Sequence, residues 1–89
     1  MKKLELKIIS PGQKIDQRVP EMADMVIMRC ITGDLGILPG RTPCSMVLGD
    51  GTLRIMNEGS EVRMVISGGV ANVSNDVVTV LTESAELTD

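Results

Sequence analysis

The sequence contains no phenylalanine, tyrosine, tryptophan or histidine in its 89 residues. Without aromatic rings there is no platform for stacking unpaired bases. A net charge of −3 supplies no basic surface for a phosphate backbone, so both features argue against a nucleic-acid partner. Without histidine, Ser–His and Cys–His catalytic pairs cannot be assembled. Two cysteines, Cys30 and Cys44, show no metal-ligand spacing and read as reduced, apolar-like thiols. No segment approaches the roughly 20 apolar residues of a membrane span, and Lys2, Lys3, Glu5 and Lys7 recur too early for a secretion signal. Ser-x-x-Lys is absent. The glycine-rich stretches at residues 33–36 and 68–69 lack the spacing of a phosphate loop and no helix follows them. The expectation is a soluble, non-catalytic protein with no cofactor and no metal site.

What is present is aliphatic. Hydrophobic residues make up 43% of the chain and charged residues 24%, a globular balance for one domain over residues 1–89. With seven methionines and no aromatics, the core must be built from Val, Ile, Leu and Met. Polar and apolar residues alternate from Lys3 to Ile9, putting Leu4, Leu6 and Ile8 on one face. The same period places Val26, Met28 and Cys30 together, and Val62, Met64 and Ile66 together. Further strands are predicted over residues 15–19, 43–48, 52–56, 70–73 and 77–82, with a turn at 49–51 and a hairpin loop at Asn57-Glu58-Gly59-Ser60. Residues 83–87 could form at most one helical turn, and no stretch has helical period. Nine or ten short strands at regular spacing predict an all-β fold, a flattened sandwich or barrel.

The segment from Gly33 to Pro43 stands apart, with three glycines, two prolines and the aliphatics Leu35, Ile37 and Leu38. It is read as a loop. Gly36 and Gly40 are expected at positive φ. The aliphatics either fold back on the core or present an apolar patch to a partner.

Gly33-Asp34-Leu35-Gly36-Ile37-Leu38-Pro39-Gly40-Arg41-Thr42-Pro43 resembles the Gly-Glu-Leu-Gly-Ile-Leu-Pro-Gly-His-Ala-Pro signature of F-type ATP synthase epsilon subunits. Lys7-Ile8-Ile9-Ser10-Pro11, Ala23-Asp24-Met25-Val26, Gly51-Thr52-Leu53-Arg54-Ile55, Ser67-Gly68-Gly69-Val70, Val78-Thr79-Val80-Leu81 and Ala85-Glu86 are similar to that family's other motifs, in the same order. The resemblance runs nearly end to end.

It implies a ten-stranded β-sandwich and a non-catalytic rotor role in proton-driven ATP synthesis. The implied partners are the gamma subunit and the polar loops of the c-subunit ring, with the membrane touched only through the complex, on the cytoplasmic side of a bacterial cell. By resemblance, Asp34, Leu35, Gly36 and Ile37 would face the c-ring. Ser10, Arg41, Thr42, Pro43 and Met46 would face gamma. Arg41 stands where the signature has histidine, so any titration near neutral pH is lost there. The chain ends at Leu87-Thr88-Asp89, about where the family's helical hairpin would begin. No hairpin is therefore expected, and neither its inhibitory role nor ATP binding is carried over. The competing expectation is a small β-sandwich that carries a ligand or cofactor, which needs an exposed lysine at a hairpin tip. Lys2, Lys3, Lys7 and Lys14 do not offer one.

Overall fold

The computed structural model describes residues 2–88; Met1 and Asp89, the two ends of the expected domain, lie outside them. Ten strands form: β1 (Leu4–Ile9), β2 (Met22–Ala23), β3 (Met25–Cys30), β4 (Gly33–Ile37), β5 (Cys44–Leu48), β6 (Gly51–Asn57), β7 (Ser60–Ile66), β8 (Gly69–Ser74), β9 (Val77–Leu81) and β10 (Ala85–Thr88). Two layers result. One runs β4-β3-β6-β7-β10 and the other β5-β8-β9-β1-β2, joined where Cys30 of β3 pairs with Leu48 of β5. All neighbours are antiparallel except β1 and β9, which are parallel.

The period-two expectation holds where it was made. Leu4, Leu6, Val26, Met28, Cys30, Met64 and Ile66 point inward, and with Leu53, Ile55, Val73, Val78 and Val80 they form the core between the layers. No ring is needed because paired β-branched and sulfur side chains fill the space between the two sheets.

Four expectations of secondary structure fail, the turn at 49–51 being the fourth. Residues 15–19 are not a strand: Asp16 turns back to accept hydrogen bonds from the Arg18 backbone amide at 2.8 Å and from its guanidinium at 3.0 and 3.1 Å. Ile15 and Val19 pack against the core instead. Residues 85–88 are a strand rather than a helical turn, because β7 offers an open edge that pairs Ala85 with Ile66 and Thr88 with Arg63. Residues 33–37, read as loop, form β4, with Val26 opposite Ile37 and Cys30 opposite Gly33.

The stretch 49–51, expected as a turn, does not reverse the chain. β5 and β6 run on in the same direction and both lie antiparallel to β3. Leu48 pairs with Gly69 in one layer and Gly51 with Ile66 in the other, the register of one uninterrupted ladder. The β8–β9 and β7–β10 ladders match in the same way, through Val70 with Leu81 and Ala85 with Ile66. β5–β6, β7–β8 and β9–β10 are therefore three long strands, each bent from one layer into the other.

The bends carry special backbone. Gly68 and Gly69 have φ of 59° and 117°, and a Cβ on Gly69 would overlap the Leu81 carbonyl oxygen and sit 2.9 Å from Thr82 Cα. At the third bend, the buried Thr82 hydroxyl lies 3.2 Å from both the Ser67 and Ser84 carbonyls. The Ser10 hydroxyl donates to the Glu83 carbonyl at 2.8 Å, and the Gln13 side-chain amide pairs with both backbone groups of Ala85. Backbone that a bend removes from the ladder is satisfied by side chains.

Candidate functional site

The two outer faces differ in chemistry. Register places Val47, Val70, Leu81 and Ile9 side by side across β5, β8, β9 and β1. All four are exposed, so they form an apolar row at the bend end of the second layer. Ile31, at 70% exposure, extends the row, because its amide bonds to the Val47 carbonyl. Pro11, Gly69, Val70, Leu81, Thr82 and Glu83 line a shallow hollow of about 310 Å³ at its far end. The next row is Ser45, Asn72, Thr79 and Lys7, with the Ser45 hydroxyl 2.9 Å from Asn72 Oδ1. Across β5, β8 and β9 the outward residues are uncharged.

The outer face of the first layer is ionic. Arg29 pairs with Asp34 at 3.0 Å, Arg54 with Glu61 at 2.7 Å, and Arg63 also with Glu61. The Arg54 and then Arg63 guanidiniums hold the Glu61 carboxyl below the usual carboxylate range. At the opposite end, Asp24 is lowered first by the Glu58 backbone amide, which it accepts at 2.8 Å, and further by Lys3.

The residues expected to face the c-ring divide along β4. Asp34 and Gly36 are exposed, Leu35 is half-buried against the core, and Ile37 is fully buried. A strand alternates its side chains, so a single face cannot present all four. Ile37 therefore belongs to the core and offers no side chain to a partner. Gly36 is not at positive φ. Its missing Cβ faces the Met25 and Ile27 side chains at 3.7 and 4.0 Å. Gly40 does have φ of 87°, as expected.

Of the residues expected to face gamma, Arg41, Thr42 and Pro43 are exposed on the crossing from β4 to β5, and Met46 is half-buried against the core. Ser10 is buried with its hydroxyl spent on the third bend, so its side chain is structural. Leu38 is exposed while Leu35 and Ile37 turn inward, which settles the direction of the three aliphatics. The apolar row itself was missed. Its signal was present in adjacent apolar pairs that break strict alternation: Ile8-Ile9, Val47-Leu48 and Val80-Leu81.

Cys30 and Cys44 are both free thiols, and burial pushes the Cys30 thiol up. Among the described residues no cluster of three or more His, Cys, Asp or Glu side chains forms, and no helix is long and apolar enough to cross a membrane.

Fold and face together define a small β-sandwich with an ionic outer surface on one layer and, across β5, β8 and β9, an uncharged one on the other. Residues 3–88 match the beta-sandwich domain of ATP synthase delta/epsilon chains, and the chain belongs to that family. It is 38% identical to an ATP synthase epsilon chain of Brevibacillus brevis, over 98% of this chain and 64% of that one. It is 37% identical to one of Frankia casuarinae, over 96% of this chain and 98% of that one. The chain thus spans less than two thirds of the Brevibacillus relative and nearly all of the Frankia one. Among solved structures, a chain of the Euglena gracilis mitochondrial ATP synthase (OSCP/F1/c-ring) superposes with a TM-score of 0.85 at 28% identity, over 96% of this chain and 53% of that one. A chain from the Tetrahymena thermophila mitochondrial ATP synthase central stalk and c-ring superposes at 0.75 with 18% identity, over 94% of this chain and 66% of that one, and shows the shared fold.

Proposed function

We propose that this domain is a non-catalytic rotor part of an F-type ATP synthase, linking the gamma subunit of the central stalk to the c-subunit ring in proton-driven ATP synthesis. Its place is the cytoplasmic side of a bacterial membrane, which it reaches only through the complex. The observation that carries the reading is the uncharged outer face of β5, β8 and β9 with its apolar row. Drying such a face costs little, and leaving it in water gains nothing, so it fits a permanent protein partner. Membership of the epsilon-chain family supports gamma as that partner. Arg41, Thr42 and Pro43 then form the rim at the other end of the same face.

Asp34 and Gly36, on the exposed side of edge strand β4, are the contact to the ring. Asp34 is already paired with Arg29, and an exposed pair of this kind contributes about 0–1 kcal/mol, setting register more than affinity.

The bends suit a part that carries load. Two sheets held by side-chain packing alone can slide. Here three strands cross covalently from the layer that faces the stalk to the layer that bears β4. The carrier-domain alternative finds no support, since the hairpin tips Ile31-Thr32, Glu58-Gly59 and Asn75-Asp76 hold no lysine.

A titration of the chain with its cognate gamma subunit tests the reading. Leu81→Glu and Val70→Glu should weaken binding by more than about tenfold, each burying an unpaired charge, while Arg63→Glu on the other face leaves it unchanged. Absence of binding with both partners folded sinks the proposal.

A further inference from the structure

The crossing over residues 38–43 carries the exposed Leu38, Arg41, Thr42 and Pro43 but lies outside every ladder. Among the described residues, its one long-range hydrogen bond runs from the Gly40 amide to Asp76 Oδ1 at 2.7 Å, 36 residues away in sequence, while Arg41 Nε makes a local contact with Cys44 Sγ at 3.4 Å. Asp76 is the second turn residue of the β8–β9 hairpin, and both Asn75 and Asp76 have positive φ, 51° and 61°. Such two-residue turns favour glycine at the second position. The β6–β7 hairpin obeys this, with Glu58 at 51° followed by Gly59 at 80°. The β8–β9 hairpin places an L residue where glycine is relaxed. Asp tolerates that conformation better than most L residues, and here its side chain is the acceptor for the Gly40 amide. The base of that side chain is also fixed, since the Asp76 carbonyl accepts from the Glu5 amide at 2.8 Å.

We infer that Asp76 is a positioning residue that holds the crossing at the end of the second layer's outer face. It keeps Arg41, Thr42 and Pro43 as an ordered rim for the partner. The role rests on the functional reading above, in which that rim meets gamma. Ordering the rim in the free domain removes an entropy cost from docking.

Asp76→Gly separates this role from a merely structural one. Glycine relaxes the turn, so the thermal midpoint should stay level or rise. The Gly40 amide should exchange with solvent at least about threefold faster once its acceptor is gone, and gamma binding should weaken by about threefold to tenfold. Asp76→Asn keeps a carbonyl acceptor and should hold both readouts near those of the parent. Unchanged Gly40 exchange in Asp76→Gly overturns the tie, and unchanged gamma binding despite faster exchange overturns the positioning role. A parent chain that fails to bind gamma overturns the functional reading instead, and Gly40 exchange still reports on the tie in the free domain.

Discussion

The two outer faces share three bent strands and yet differ in kind. On the first layer, Arg29, Arg54 and Arg63 stand among Asp34 and Glu61, each near an opposite charge and in water. On the second, β5, β8 and β9 turn Val47, Val70, Leu81, Ser45, Asn72 and Thr79 outward. Because β5–β6, β7–β8 and β9–β10 are bent strands, one stretch of chain contributes to both faces. Val70 and Arg63 lie seven positions apart along β7 and β8, one on each. The lesson is that a bent strand lets a small domain divide its surface without a second core: one face carries ion pairs and the other neutral and apolar side chains.

The most severe way to break that division is at a bend. Gly69→Ala should destabilise the domain by about 4 kcal/mol, because the new Cβ overlaps the Leu81 carbonyl and both strands must part. Chemical denaturation would read it, and a loss under about 1 kcal/mol would mean that the layers are not held by continuous strands. Next in size, Ile37→Ala should cost about 3 kcal/mol as a cavity in the core. A surface-like cost there, within about 0.5 kcal/mol, would return Ile37 to the docking edge.

The faces themselves are compared by changing a charge on each. Val47→Lys should weaken gamma binding by about tenfold, or about 1.4 kcal/mol, with the thermal midpoint nearly unchanged. Equal loss from Arg54→Ala on the ionic face would erase the distinction. Acid sharpens it further. The Glu61 carboxyl is lowered by Arg54 and Arg63, Asp24 by the Glu58 amide and Lys3, and Asp16 to about 2 by Arg18. A lowered folded-state pKa stabilises above the unfolded value, about 4. That contribution is lost as pH falls through the folded value. The thermal midpoint should be flat above about pH 5 and decline below about pH 4, and Glu61→Gln should make the decline shallower. The smallest effect is Arg29→Ala, which frees Asp34 and should cost under about 1 kcal/mol in stability.

Much of the inner face was legible because burial on one side of a strand forces period two: Leu4 and Leu6, Val26 and Met28, Met64 and Ile66 all point where alternation put them. The end of the chain was not. Glu83 to Leu87 has no strand-forming run, and β10 exists because β7 lends it an edge. Of the candidate site, the sequence leaves open which way Leu35, Ile37 and Leu38 point. Glycines and prolines at 33–43 conceal a strand, so the motif alone places Ile37 among outward residues although it is buried.

By itself the sequence determined which side chains of the alternating strands are inward and, through its collinear motifs, the family to which the chain belongs. These follow from local sterics and from a pattern with a fixed period. Only the tertiary structure decided that residues 49–51, 67–68 and 82–84 are bends and not reversals, since a glycine-rich interruption is compatible with either until the partner strand fixes the register. It alone decided that Val47, Val70, Leu81 and Ile9 meet, because residues as far apart as 9 and 81 become neighbours only when β1 lies beside β9.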